Sequence, residues 1–143
     1  MIAAWVVDAS VGIKLFVQEA GSAEADRLFA RLSEDPPARF YVPDLFFVEC
    51  TNILWKYVQN YGYPADNARA DLRALQSLAL SPVSTGDLLL TTLDLALEHG
   101  IAAYDACYVA LAEELDLPLV TADEALAKRF RGHEPNVLSL SEI

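Results

Sequence analysis

Short runs of apolar residues alternate along this chain with longer segments in which apolar positions recur at helical spacing. Uninterrupted apolar runs are typical of strands buried on both faces, and a spacing of three or four is typical of amphipathic helices. We predict strands at 3–8, 40–42, 80–84, 117–121 and 137–140. The predicted helices lie at 9–18, 22–32, 45–61, 64–78, 87–99, 105–115 and 124–130.

Helix caps and breakers support these boundaries. Ser22 and Asp44 are residue types that cap helix N-termini, and we expect each to cap the helix that follows it. Gly62 and Gly100 stand where two helical patterns stop, as glycine commonly does. Pro82 lacks a backbone donor, which places the strand at 80–84 on an edge of its sheet.

Alternation of strands and helices predicts an α/β domain with a mainly parallel sheet that is covered on both faces. A chain of 143 residues suits one domain spanning 1–143. In such sheets, ligands bind outside the carboxyl ends of the strands, where the strand order reverses. Polar residues at strand ends are therefore the first candidates for a functional site.

Four acidic residues occupy such positions. Asp8 ends the first strand, and Asp123 follows the strand at 117–121. Glu49 lies in the first turns of the long helix, and Asp105 begins a later one. Each of the last three has a simple structural explanation, because an acid at a helix start interacts favourably with the macrodipole or caps the helix. Asp8 is harder to explain in that way, since a carboxylate in a buried strand is costly unless it is paired.

Together, these acids indicate a metal site. Converging carboxylates repel one another, and a hard divalent cation such as Mg²⁺ or Mn²⁺ relieves that repulsion. Such a site can bind a phosphodiester and activate water. Ser10, Asn52 and Thr121 are spaced to support the acids on the same turn, helix face or strand face. The sequence contains no Cys-His cluster that would favour zinc.

Composition narrows the possible partners. With 21 acidic and 10 basic residues, the formal net charge is −11, which argues against non-specific DNA binding and favours cationic partners. A nucleic acid held through metal ions remains compatible with this charge. Cys50 and Cys107 are too few for a disulfide scaffold. With no basic signal peptide and no long apolar stretch in the sequence, we expect a cytoplasmic protein with no membrane partner.

Four segments carry a family resemblance: VDAS at 7–10, VECTNIL at 48–54, YDACYVALA at 104–112 and LVTADEAL at 119–126. In this order and at these intervals, they resemble PIN-domain ribonucleases, specifically the VapC-type toxins of toxin–antitoxin pairs. The resemblance implies a three-layer α/β/α sandwich with strand order 3-2-1-4-5. It carries the family's catalytic and metal-binding acids onto Asp8, Glu49, Asp105 and Asp123, and its hydroxyl positions onto Ser10 and Thr121.

The same resemblance implies an activity and partners. It implies Mg²⁺- or Mn²⁺-dependent endoribonuclease cleavage of RNA that inhibits translation, and a cognate VapB-like antitoxin. We also expect a homodimer. The helix at 45–61 has apolar residues beyond one stripe, which predicts either burial on two sides or an external interface for an antitoxin helix or a second copy.

Basic residues give a weaker prediction of where RNA enters. Lys14 follows the Asp8 segment, and Lys128, Arg129 and Arg131 form a small run after Asp123. One interpretation is that these side chains line the entry for RNA. The other, which we favour, is that they lie at helix ends, where positive charge complements the helix dipole, and face solvent.

Other function classes fit less well. A catalytically silent PIN-like protein-binding module would be expected to have lost part of the acidic set. A phosphotransfer receiver domain would need paired acids after the first strand and a late lysine. A haloacid-dehalogenase-type phosphatase would need an aspartate where Ser10 stands.

Overall fold

A computed structural model describes residues 3–143. Its centre is a five-stranded sheet with all neighbours parallel, in the order β3-β2-β1-β4-β5. The strands are β1 (Ala4–Val7), β2 (Arg39–Pro43), β3 (Leu80–Val83), β4 (Leu119–Thr121) and β5 (Val137–Ser139). This confirms the predicted α/β class and strand order, and β3 with Pro82 lies on an edge as expected.

Seven α-helices connect the strands within the described residues. They are α1 (Ala9–Gly12), α2 (Ser22–Ala30), α3 (Leu45–Tyr61), α4 (Ala65–Ser77), α5 (Leu89–His99), α6 (Ala103–Leu115) and α7 (Glu124–Arg129). Short 3₁₀ turns extend or connect them at Ile13–Leu15, Arg31–Ser33, Thr85–Leu88 and Leu140–Glu142. None of the helices in residues 3–143 has the length and apolar character needed to span a bilayer.

The helix predicted at 9–18 is shorter than expected. It ends at Gly12, and one 3₁₀ turn follows, although Ile13 and Val17 still bury their side chains as the apolar spacing predicted. Gly12 packs against α3 so closely that a Cβ atom there would lie 2.6 Å from Cζ of Phe46. Only glycine fits this crossing without a shift of the phenyl ring.

Two predicted caps are wrong in detail. Gly21 occupies the N-cap of α2 with φ of 91°, a conformation that favours glycine. Ser22 is the first helical residue, and its hydroxyl donates to the Val17 carbonyl at 3.3 Å. Asp44 precedes α3 but does not cap it; its carboxylate accepts the backbone N–H of Thr85 at 2.9 Å.

The strand order reverses at β1, which lies between β2 and β4. Val6 and Val7 of β1 and Leu119 and Val120 of β4 are fully buried. Because parallel crossovers are right-handed, the connections on the two sides of β1 cover opposite faces of the sheet. Helix α6 is buried from Ala106 through Ala112, so its first turn, which carries Asp105, is held beside the carboxyl end of β1. The fold thus creates a crevice where the sequence predicted one.

Candidate active site

A cavity of about 560 Å³ opens at the carboxyl end of β1 and is walled by α3 and α6. Six of the seven predicted site residues line it: Asp8, Ser10, Glu49, Asn52, Asp105 and Asp123. The seventh, Thr121, lies beneath the cavity and contacts it through Asp8. The remaining lining includes apolar side chains, one exposed tyrosine and one lysine. The predicted residues therefore meet in space although the sequence separates them widely.

Asp8 is the most constrained acid of the site. Its side chain is only 8% exposed, and its Oδ2 accepts hydrogen bonds from Thr121 Oγ1 at 2.7 Å and Ser10 Oγ at 3.0 Å. Burial raises the pKa of Asp8 above its ordinary value, and the nearby charge of Asp105 adds to this, whereas the two hydroxyl donors lower it. The hydroxyl groups therefore favour an ionised carboxylate that the apolar surroundings disfavour.

Those two hydroxyl groups are held in turn by the backbone after β4. The N–H of Ala122 donates to Ser10 Oγ at 3.1 Å, and the N–H of Asp123 donates to Thr121 Oγ1 at 3.1 Å. Each hydroxyl accepts from the backbone and donates to the same carboxylate oxygen. We call these residues, Asp8, Ser10 and Thr121, the sheet-edge network. It fixes the orientation of the Asp8 carboxylate before any ligand binds.

Asp123 has two roles in the structure. Its Oδ1 accepts the backbone N–H groups of Ala125 at 3.0 Å and Leu126 at 3.2 Å, so it caps α7 as its position suggested. It also lines the cavity, and its charge adds to the effect of burial in raising the pKa of Asp105. The capping role does not remove Asp123 from the acidic set.

Glu49 receives a partner that sequence reasoning missed. The hydroxyl of Tyr108, which is 1% exposed, donates to Glu49 Oε1 at 2.5 Å and so joins α6 to α3. Burial raises the pKa of Glu49, the Tyr108 hydrogen bond lowers it, and the charges of Asp8 and Asp105 raise it. A tyrosine within the otherwise apolar stretch 106–112 was a usable signal, because a buried tyrosine hydroxyl usually finds a partner.

The four acids interact mainly through repulsion. Asp8, Glu49 and Asp105 each have a raised pKa, to which at least one other member of the set contributes. Within residues 3–143, no lysine, arginine or histidine forms an ion pair with any of the four. An uncompensated group of carboxylates is the electrostatic condition that a bound cation would relieve.

Oxygen-only donors suit Mg²⁺ or Mn²⁺, but the arrangement is not a closed metal cage. Among residues 3–143, no three acidic, histidine or cysteine side chains form a group that could hold an ion as they stand. Mg²⁺ commonly keeps several waters and binds through one or two carboxylates. The donor set therefore fits a water-rich Mg²⁺ site and does not fit a structural site built entirely from protein ligands.

The basic residues named from sequence lie outside this cavity. The Nζ atom of Lys14 lies 2.9 Å from Oε1 of Glu19 and donates to the Ala20 carbonyl at 2.7 Å. Lys14 lines a separate cavity of about 250 Å³. The guanidinium of Arg129 donates to the His99 carbonyl at 2.8 Å, and a guanidinium nitrogen of Arg131 lies 3.9 Å from Oε1 of Glu142. These contacts support the structural explanation of Arg129 and Arg131. Lys14 is also held by structural contacts, but its side chain is only 11% exposed and so does not face solvent as expected. The lysine that does line the acidic cavity is Lys56, which sequence reasoning did not single out.

Comparison with known proteins identifies the family of this chain. The family model described as PIN domain matches residues 5–131. The Ribonuclease VapC3 of Pyrobaculum aerophilum is 37% identical over 127 residues, which cover 87% of this chain and 93% of that protein.

Solved structures show the same fold at lower identity. A toxin–antitoxin complex from Klebsiella pneumoniae aligns with a TM-score of 0.67 at 21% identity, covering 97% of this chain and 99% of that one. The VapBC2 structure from Rickettsia felis, bound to a DNA fragment from its promoter, aligns with a TM-score of 0.70 at 11% identity over 95% and 98% of the two chains. Because the PIN-domain model matches residues 5–131 and the chain is 37% identical to a VapC ribonuclease, the chain belongs to the PIN-domain family, among its VapC ribonucleases.

Proposed function

We propose that this chain is a metal-dependent endoribonuclease that acts as the toxin of a VapBC-type toxin–antitoxin pair and inhibits translation by hydrolysing RNA. The observation that carries the proposal is the meeting of Asp8, Glu49, Asp105 and Asp123 in one cavity, with Asp8 fixed by two hydroxyl groups. Kinship to a VapC ribonuclease supports RNA as the substrate.

The metal in this proposal is Mg²⁺ or Mn²⁺, held by Asp8 and Asp105 directly and by Glu49 and Asp123 directly or through water. When bound, it supplies Lewis-acid polarisation of a phosphodiester oxygen and neutralises charge that develops at phosphorus. Asp8 and Asp105 suit this role because their charges repel neighbouring carboxylates: the charge of Asp105 raises the pKa of Asp8, and both charges raise the pKa of Glu49. A bound cation would relieve this repulsion.

The protein's own groups orient the reactants. Thr121 and Ser10 keep the Asp8 carboxylate in one orientation, and Tyr108 does the same for Glu49. In the hydrolysis, a water oxygen forms a bond to phosphorus, the bond from phosphorus to a ribose oxygen breaks, and a proton from the water ends on that leaving oxygen. Carboxylates of the site accept hydrogen bonds from the attacking water and so aim it.

Cleavage of a labelled RNA pool by the purified chain tests the proposal. We expect cleavage with Mg²⁺ or Mn²⁺, loss of cleavage in EDTA, recovery when the metal is restored, and a loss of about 10³-fold in cleavage by Asp8→Asn. Cleavage that persists in EDTA would reject the metal role. A wild-type chain that cleaves no RNA with either ion would favour the catalytically silent PIN-like module instead.

A VapB-like antitoxin is the proposed protein partner. Helices α3 and α4 form a groove of about 370 Å³ whose apolar lining includes Leu54, Trp55, Val58 and Leu72. Trp55 is 57% exposed, and an exposed tryptophan in a groove is typical of a binding anchor. The net charge of −11 favours a basic antitoxin segment. We expect Trp55→Asp to abolish capture by the antitoxin encoded beside this gene while RNA cleavage persists; unchanged capture would reject the groove.

A homodimer is the second proposed assembly. Leu90, Leu93 and Leu97 of α5 are 53–75% exposed and lie on one helical face. Exposed leucines that recur at helical spacing are typical of a helix face that is covered in an assembly. Sedimentation of the wild type is expected to show a dimer that Leu93→Asp converts to a monomer. A monomeric wild type at high concentration would reject this part.

A further inference from the structure

The acidic cavity poses an electrostatic problem for an RNA substrate. A cation held at the carboxylates would neutralise the phosphate that is cut, but the adjacent phosphates would still meet a chain with a net charge of −11. Among the residues that line the cavity, Lys56 is the one that carries a positive charge. Lys56 is therefore the lining residue whose charge suits a contact with a second phosphate.

The position of Lys56 on α3 sets its distance from the acids. Glu49, Asn52 and Lys56 follow one another at intervals of three and four along α3, and all three line the cavity. Seven residues of helix separate Glu49 from Lys56 by about 10 Å along the axis. Lys56 is exposed and forms no ion pair within residues 3–143, whereas Lys14 is bound to Glu19. Its ammonium group is thus available to a ligand.

An exposed aromatic ring lies on the other helix of the cavity. Tyr104 lines the cavity from the first turn of α6 and is 63% exposed. It is one turn before Tyr108, whose hydroxyl reaches Glu49 of α3, so both tyrosines lie on the α6 face toward α3. An aromatic side chain that is mostly exposed at a cavity is available for stacking against a nucleotide base.

We propose that Lys56 and Tyr104 bind unpaired RNA on two walls of the cavity, an inference that rests on the proposed function. Lys56 pairs with a phosphate next to the one that is cut, and Tyr104 stacks against a base. Only a strand whose bases are unpaired can offer a free base face to Tyr104, so the pair selects single-stranded segments over duplex.

Equilibrium binding separates the two contributions. The probe is a labelled oligouridylate about ten nucleotides long, and the protein carries Asp8→Asn so that the probe survives in Mg²⁺. For Lys56→Glu we expect a loss of affinity at low salt, and a slope of log affinity against log salt that is smaller by about 0.7, because one phosphate contact is lost. Lys56→Arg should restore both quantities. Arg73→Glu is the matched control, since it makes the same charge change on α4 outside the cavity.

The tyrosine is tested by its different dependence on salt. Tyr104→Ala is expected to weaken binding about tenfold at every salt concentration, because stacking does not release counterions. Tyr104→Trp should retain binding, whereas an equal loss in Tyr61→Ala, an exposed tyrosine outside the cavity, would contradict a specific role. A duplex probe should bind weakly to all variants; equal binding of duplex and single strand by the parent protein would overturn the proposal.

Cleavage kinetics distinguish failure of this inference from failure of the proposed function. In the otherwise wild-type chain, Lys56→Glu and Tyr104→Ala are expected to raise KM for single-stranded RNA and leave kcat within about twofold. If the wild type cleaves RNA and both variants match their controls in KM and affinity, the inference is wrong and the proposed function stands. If the wild type neither binds nor cleaves RNA, both fail.

Discussion

The acidic cavity is formed by a sheet edge, which carries Asp8, and by a helical wall, which α3 and α6 form and which carries Glu49 and Asp105. The acidic side chains in these two regions differ in how tightly their surroundings hold them. At the sheet edge, Asp8 is 8% exposed, and both of its hydroxyl partners are oriented by backbone N–H groups. On the helical wall, Glu49 is half-buried with one partner, Tyr108, and Asn52 and Lys56 are exposed. One region fixes a carboxylate before ligand binding, and the other presents side chains that can still move toward a ligand.

This difference separates two functions of one site. A carboxylate that must bind a cation in a defined orientation benefits from a network that holds it there. Groups that meet a long, variable substrate benefit from freedom to adjust, and long side chains on an exposed helix face retain it. We therefore expect substitutions in the sheet-edge network to affect catalysis and stability, and substitutions on the wall to act mainly on substrate binding.

The largest expected effect is that of Asp8→Asn on cleavage. Asparagine keeps the shape and an acceptor for Thr121 but loses the charge, so we expect kcat/KM for RNA to fall by about 10³-fold. In EDTA at neutral pH, the melting temperature should stay the same or rise, because a buried charge without a cationic partner is removed.

The stability gain also has a predicted pH dependence. The folded protein raises the pKa of Asp8, so the cost of its charge applies above the unfolded pKa and vanishes in acid, where the carboxyl is protonated in both states. Asp26→Asn, an exposed change of the same kind, is the control. A large drop in melting temperature for Asp8→Asn alone would show that the charge stabilises the fold, and it would contradict the expectation that the buried Asp8 carboxylate costs stability when no cation is bound.

Removal of one hydroxyl should damage the sheet-edge network next. Thr121→Val has nearly the same shape but cannot donate to Asp8 or accept from the Asp123 N–H. One buried and one partly buried hydrogen bond are lost, and we expect the free energy of unfolding in urea to fall by about 2 kcal/mol. Cleavage should fall about tenfold as the Asp8 carboxylate loses its fixed orientation. Thr121→Ser should recover most of both; a valine variant with wild-type stability and activity would refute the network's role.

Tyr108→Phe examines the contact between the two helices of the wall. Only the hydroxyl that bonds Glu49 is removed, so we expect a loss of about 1 kcal/mol in unfolding free energy and a fall of several fold in kcat. Tyr63→Phe, a change of the same kind at a tyrosine outside the cavity, controls for the general effect of losing a hydroxyl. An unchanged kcat would mean that Glu49 needs no orienting partner.

Two substitutions at one position distinguish the two roles of Asp123. Asp123→Ala removes the cap of α7 and should cost about 1 kcal/mol in a thermal or urea melt. Asp123→Asn keeps an N-cap acceptor and should leave stability nearly unchanged. Because the carboxylate is proposed to serve the metal site, both variants should lose cleavage to a similar extent. Full activity in Asp123→Asn would assign Asp123 to capping alone.

Much of the fold was predictable from local patterns, and the exceptions arise from contacts between segments that lie far apart in the sequence. Helix α3 begins and ends at Leu45 and Tyr61 as predicted, because its apolar spacing and Gly62 are strong local signals. Helix α1 stops early at Gly12, where α3 crosses so closely that Phe46 leaves no room for a Cβ atom. The Asp44 carboxylate binds the Thr85 backbone N–H, a partner 41 positions away that no local rule for caps would find.

The sequence by itself determined which residues carry charge at strand ends and helix starts, since strand and helix periods are encoded locally. Family-like motifs then assigned Asp8, Glu49, Asp105 and Asp123 to one set. Only the tertiary structure decided that Thr121 and Ser10 share one oxygen of Asp8, that Tyr108 reaches Glu49, and that Lys56, not Lys14, lines the cavity. Such contacts depend on how helices pack across the sheet, and packing joins residues that no sequence period relates.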